Sequence, residues 1–152
     1  MIAELTIISV FAMGATIPTK YCCGRVSPPI SWSAVPTGTQ SVAVLCDDPD
    51  AGGGDWVHWV FFNLPPDTQK LDEGVPAKPQ LPNGAIQGVN DYGVNGYNGP
   101  CPPPGRPHRY LYKVYALDTK LKLDSSAVKS DLLQAMKGHI LAQGQLMGKF
   151  KR

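Results

Sequence analysis

Charged side chains are scarce in this chain: 14 Lys and Arg stand against 12 Asp and Glu in 152 residues, for a formal net charge of +2. That near-balance excludes a nucleic-acid binder working through a basic face and a polybasic membrane anchor, since both need a concentrated positive field. Long apolar runs are missing as well. The most apolar opening, "MIAELTIISVFAMG", carries Glu4, has no Lys or Arg before it, and is far shorter than a bilayer span. It reads as a first β-strand and not a signal peptide, which predicts a cytoplasmic protein without a transmembrane segment. Catalytic signatures are absent too. There is no G-x-S-x-G elbow and no H-E-x-x-H zinc motif, and "AGGGDW" lacks the Lys and Ser/Thr of a phosphate loop. No repeat or linker divides the chain, so its length predicts one domain over residues 1–152.

Cysteine is sparse: Cys22 and Cys23 are adjacent, and Cys46 and Cys101 stand alone. No C-x-x-C spacing supports a zinc or redox motif. In a reducing compartment the four are expected as free thiols. The alternative is a bridge from Cys22 or Cys23 to Cys101, of the kind intracellular proteins of hyperthermophiles carry. Pro100 and Pro102 keep Cys101 off the helix N-terminus that commonly activates a thiolate.

Glycine and proline, by contrast, are plentiful, at 16 and 15 residues. They concentrate in four long connections, 18–36, 48–55, 65–84 and 90–107, and loops of that length inside one domain are usually functional. Between them lie apolar segments. "SVAVLC" (41–46), "WVHWVFFNL" (56–64) and "RYLYKVYAL" (109–117) are rich in β-branched and aromatic residues and predict strands. Near the C-terminus, Val128, Leu132, Met136 and Ile140 recur at four-residue spacing, with Asp124 or Ser125 as cap. His139 falls inside that helix; Gly138 weakens or breaks it, and Gly144 is expected to end it. The pattern predicts a mainly β protein, mostly antiparallel, with a late helix.

The groups able to do chemistry sit beside the loops. Asp48 and Asp50 stand two apart and share a side in extended backbone, and so do His108 and Tyr110. Arg109 points the other way and reads as an ion-pair partner or loop anchor. His58 lies inside an apolar strand, where a buried ring is commonly held by a structural hydrogen bond. Two carboxylates, two imidazoles and a phenol could suit a divalent metal or a hydrolase, but no compact metal motif and no nucleophile accompany them. A small anion pocket accounts for the set better. A carboxylate favours an imidazolium, which joins a tyrosine hydroxyl and loop N–H groups in holding phosphate.

"DDPDAGGGDWVHWVFFNLP", "GYNGPCPPPGRPHRY" and "GHILAQGQLMGKFKR" together resemble the phosphatidylethanolamine-binding protein family, which includes the Raf kinase inhibitor proteins. The likeness is to its compact bacterial and archaeal branch, and it runs in collinear order from about residue 17 to the C-terminus. It implies a large central antiparallel sheet packed with a smaller second sheet, plus a C-terminal helix. It also implies a non-catalytic pocket, without cofactor or metal, for phosphate or a phospholipid headgroup. Position by position, the pocket falls on Asp48, Asp50, Trp56, His58, His108 and Tyr110, with a wall at Gly99, Pro100, Cys101 and Pro102. Gly52 and Gly53 stand where relatives carry a proline and an aromatic, which opens the rim. The resemblance further implies, as an alternative function, inhibition of a chymotrypsin-like serine protease or a kinase through an exposed loop, 65–84 or 96–107. A homodimer is a further partnership it suggests.

Overall fold

The three predicted strands form the middle of the molecule. The computed structural model describes residues 1–152, and its elements follow in chain order. They are β1 (Ala3–Glu4), β2 (Ile7–Ile8), β3 (Ile30–Trp32), β4 (Ser41–Asp48), β5 (Trp56–Leu64), β6 (Lys70–Leu71), β7 (Ile86–Gln87), β8 (His108–Leu117), α1 (Lys129–Met136) and β9 (Ile140–Phe150). One sheet has the order β1-β9-β8-β4-β5-β7 and a smaller one the order β2-β3-β6. The large sheet is antiparallel except at its edge, where β1 runs parallel to β9. The apolar N-terminal segment, expected as one strand, is two short ones that serve different sheets.

Every residue of β4 is buried, because both faces of the large sheet are covered. Toward the small sheet, Val42, Val44 and Cys46 join Trp59, Phe61, Tyr110, Tyr112 and Val114, together with Ile7, Ile30, Trp32 and Leu71. Ala43, Leu45, Val60, Phe62 and Leu117 face the other way and meet Leu132 and Met136 of α1. On that second face Asp47 is also buried, at 1% exposure, and its Oδ2 accepts from Lys113 Nζ at 3.2 Å and Lys129 Nζ at 2.7 Å. Lys129 bonds Asp55 as well, at 2.9 Å, while Asp47 Oδ1 has no partner.

The C-terminal region departs from the helical expectation. Asp131 Oδ2, and not Asp124 or Ser125, caps α1 by accepting from the Val128 N–H at 3.0 Å. Asp124 instead closes the turn before the helix through Ser126. Gly138 takes φ +83°, which an L side chain rarely adopts, and α1 has already ended before it. His139 therefore lies beyond the helix, with its Nδ1 at 2.7 Å from Asp118 Oδ1. Ile140 opens β9, and Gly144 lies inside that strand because β1 and the residues after it approach closely. A Cβ there would collide with the Leu5 carbonyl oxygen.

Candidate ligand-binding site

Strand alternation delivers most of the site. Val42, Val44 and Cys46 face the small sheet, and Asp48 continues their row at the end of β4. On β8, Val114, Tyr112 and Tyr110 form the matching row, with His108 at its start. β5 needs an irregularity to join them. Cys46 pairs with Trp59 but Asp47 pairs with Val57, so His58 is an extra residue opposite that step, a β-bulge. The bulge lets Trp59 stay in the core between the sheets while His58 turns to the same end as Asp48.

Where these rows end, a cavity of about 270 Å³ opens to solvent. Asp48, Ala51, Trp56, His58, Tyr92, Cys101, Pro102, Pro103, His108 and Tyr110 line it. Seven of the ten sequence-predicted residues are thus brought together: Asp48, Trp56, His58, Cys101, Pro102, His108 and Tyr110. Asp50 turns away to Arg109, while Gly99 and Pro100 support the wall without lining the space. Tyr92, Ala51 and Pro103 went unread in the sequence. The available signal for Tyr92 was an aromatic set among glycines and asparagines in "VNDYGVNGYNG". It stands 44% exposed at the mouth, edge-on to Trp56 with ring centroids 5.6 Å apart.

His58 is 2% exposed, and its Nδ1 lies 2.7 Å from the Asn98 carbonyl oxygen. A carbonyl only accepts, so Nδ1 carries the proton and Nε2 is left over. Burial pushes the ring below its ordinary value of 6.5, against the raising effects of the Asn98 bond and Asp48. His108 repeats the arrangement, with Nδ1 at 2.7 Å from Asp48 Oδ2. Asp48 Oδ1 accepts the Asp50 N–H at 2.7 Å, which closes the turn after β4. Burial, reinforced by the nearby Asp48 charge, holds the Tyr110 phenol far above its ordinary value, so it stays an O–H donor. No Lys or Arg lines the cavity.

Asp50 accepts from the Arg109 backbone N–H at 2.9 Å, from Nε at 3.0 Å and from Nη2 at 2.8 Å. The side-chain bonds to Arg109 lower its carboxyl from 3.8 to about 2. The Arg109 side chain is 54% exposed, so solvent screening leaves the pair only a small contribution to stability. Because the folded value is the lower one, that stability is present above pH ~4 and is lost as pH falls toward 2. Urea denaturation of Asp50→Asn is expected to show a small deficit at pH 7 that shrinks across this window. A deficit independent of pH would contradict the pairing.

The wall is built by two loops stitched together. Gly99 N–H donates to the Gly24 carbonyl at 2.7 Å and Cys23 N–H to the Pro100 carbonyl at 2.9 Å. Arg25 Nε reaches the Tyr97 carbonyl at 2.8 Å, and Tyr97 Oη donates to the Tyr21 carbonyl at 2.9 Å. Approach is so close at Gly99 that a Cβ would strike the Tyr21 carbonyl oxygen. Cys23 and Cys101 then form a disulfide, against the expectation of four free thiols. Of the two adjacent cysteines, Cys22 points inward, its thiol toward the Pro18 carbonyl, whereas Cys23 takes φ +50° and is exposed. Burial drives the Cys22 thiol up to about 12, and Cys46, fully buried, is pushed well up for the same reason. Only those two remain free. The loop on the other side of His58 is organised by the buried Asn90, whose Nδ2 donates to the Gly96 carbonyl and to Asn98 Oδ1.

Known proteins resemble this chain in both sequence and fold. A UPF0098 protein of Methanothermobacter thermautotrophicus is 51% identical over 138 residues, covering 90% of this chain and 91% of that protein. UPF0098 protein PH1269 of Pyrococcus horikoshii is 42% identical over 98% of this chain and 77% of its own length. Among solved structures, E. coli YbcL, described as a member of the mammalian PEBP family, superposes with a TM-score of 0.90 at 32% identity over 99% of each chain. A phosphatidylethanolamine-binding protein homologue from Chlamydia trachomatis gives 0.87 at 39% identity over 98% of each. The family model for phosphatidylethanolamine-binding proteins matches residues 7–151, and the chain belongs to that family. No helix is long and apolar enough to cross a membrane.

Proposed function

We propose that the cavity binds a small oxyanion, phosphate or a phosphomonoester such as phosphorylethanolamine, and holds it without turnover. One observation carries the reading: two imidazoles share the cavity with both Nδ1 atoms already engaged. Each ring can then address a ligand only through Nε2. That atom donates to an oxyanion when the ring is protonated, and accepts from a P–O–H group when it is neutral. Asp48 is the one carboxylate among the lining residues and no Lys or Arg accompanies it, so an oxyanion is attracted there only through a protonated imidazole or through a hydrogen of its own. Binding is therefore coupled to a proton, brought by the ring or by the ligand. Tyr110 adds a phenol that stays protonated. No Ser, Thr or Lys lines the space and its one sulfur is in a disulfide, which favours holding a ligand over attacking it.

The pH dependence has a definite sign. His58, held below 6.5 by burial, gains its proton only at acid pH in the free protein, and a bound anion favours that proton. Affinity for inorganic phosphate is expected to rise as pH falls from 8 to 6. An NMR titration should move the signals of Asp48, His58, His108 and Tyr110. If none of them moves, the oxyanion reading is wrong. Equal affinity at both pH values would remove the proton coupling alone. Hydrolysis of p-nitrophenyl phosphate that disappears in His108→Ala would overturn the assignment as a binding protein without turnover.

A further inference from the structure

Residues 101–107 are a sparsely hydrogen-bonded part of the cavity wall. The Pro100 carbonyl is fastened to Cys23, and the sheet resumes where His108 pairs with Phe150. Of the seven residues between, Pro102, Pro103, Pro104 and Pro107 have no N–H to give. The one hydrogen bond reaching this stretch is a long one, from Arg152 Nη1 to the Pro102 carbonyl at 3.4 Å. Yet Cys101, Pro102 and Pro103 all face the ligand space. What holds them is the bond from Cys101 to Cys23. We infer that this disulfide is a redox lock on the wall, with the closed, ligand-ready wall belonging to the oxidised protein. The functional consequence rests on the oxyanion reading above.

Three features suit the bond to that use. Cys23 is exposed and Cys101 half-buried, so a reductant can reach the sulfur of Cys23. The other thiols, Cys22 and Cys46, are buried and shifted upward by desolvation, which keeps them from exchanging with it. The hydrogen bonds that join residues 21–25 to residues 95–100 do not depend on the disulfide. Reduction therefore releases the wall and leaves the two loops docked. In the step itself, a thiolate of a dithiol reductant attacks Cys23 Sγ and expels Cys101 as thiolate. The second thiol of the reductant then closes its own disulfide and frees Cys23. Two electrons pass from the dithiol to the protein, and two protons end on Cys23 and Cys101, placing a thiol at the cavity surface.

The test compares the full-length protein before and after dithiothreitol, which should raise the thiol count in denaturant from the two free cysteines to all four. Calorimetry with inorganic phosphate is expected to give an affinity about tenfold weaker after reduction, as for a wall that keeps its binding arrangement about a tenth of the time. Backbone ¹⁵N order parameters at Cys101, Gly105 and Arg106 should fall on reduction while β4 and β8 stay rigid beyond their ends. Cys101→Ser and Cys23→Ser should each behave as the reduced protein; where neither folds, the reduced wild type carries the test. Equal phosphate affinity in both redox states, or unchanged order parameters over 101–107, overturns the lock and leaves the oxyanion reading standing. Binding in neither state removes the oxyanion reading, and the lock falls with it.

Discussion

Asp48→Asn is expected to weaken inorganic phosphate binding by roughly 10- to 100-fold while the fold survives, because a hydrogen bond to a charged group is worth about 1.5–3 kcal/mol. Asp48 has two tasks. Its Oδ1 closes the turn through the Asp50 N–H, and its Oδ2 receives the His108 proton on Nδ1. An asparagine oxygen can serve one of these tasks only. Its NH₂ set against His108 would oppose an Nδ1–H, and no negative charge would remain to balance an imidazolium against the ligand. Asp50→Asn is the internal control, since that carboxylate faces Arg109 and not the cavity. Its phosphate affinity is expected to stay near wild type. If calorimetry finds Asp48→Asn equal to wild type, Asp48 does not act on the ligand through His108.

Much of this was legible in the sequence, and what was not has identifiable causes. β4, β5 and β8 announce themselves through dense β-branched and aromatic content, and β5 begins and ends where "WVHWVFFNL" does. At the cavity, i, i+2 alternation holds for His108 and Tyr110 but not for Asp48 and Asp50, because the turn after β4 sends Asp50 to Arg109, and Trp56, Cys101 and Pro102 were placed by the family resemblance alone. His58 was harder. Its place depends on a bulge, and a bulge is a property of the pairing with β4 that no single strand displays. β9 was hidden for a related reason. Ile140 continues the spacing of Leu132 and Met136 by coincidence, and the strand beyond contains Gly144 and Gly148, which weaken any strand signal. Those glycines are required by contacts far away in sequence, with Leu5 at one position and with Ile17 and Phe11 at the other. The disulfide is the alternative reading of the cysteines, set second to free thiols because compartment logic speaks to an average protein. Here loop packing brings the Cα atoms of Cys23 and Cys101 to 4.7 Å across 78 residues of chain.

A second large effect is expected on the face opposite the cavity. Asp47→Ala should destabilise the protein by about 3–5 kcal/mol, the range for breaking a buried ion cluster by deleting one partner. Asp47 is all but fully buried, and the side chains of Lys113 and Lys129 are only 21% and 18% exposed. Without the carboxylate, two ammonium groups stay desolvated against the sheet, with Asp55 left to answer Lys129 alone. The cluster is itself imperfect, because Asp47 Oδ1 has no partner, and a partly satisfied buried network competes poorly with apolar packing. The triple replacement Asp47→Leu, Lys113→Met, Lys129→Met is therefore expected to recover most of the loss, and urea denaturation of the two proteins checks both statements. A single-variant deficit below about 1 kcal/mol would mean the lysines reach water freely and the cluster is a surface feature. Phosphate affinity of the folded fraction should change little in either protein. Asp47 and Asp48 are neighbours in sequence, but strand alternation sends one to α1 and the other to the cavity, so stability and binding separate at adjacent residues.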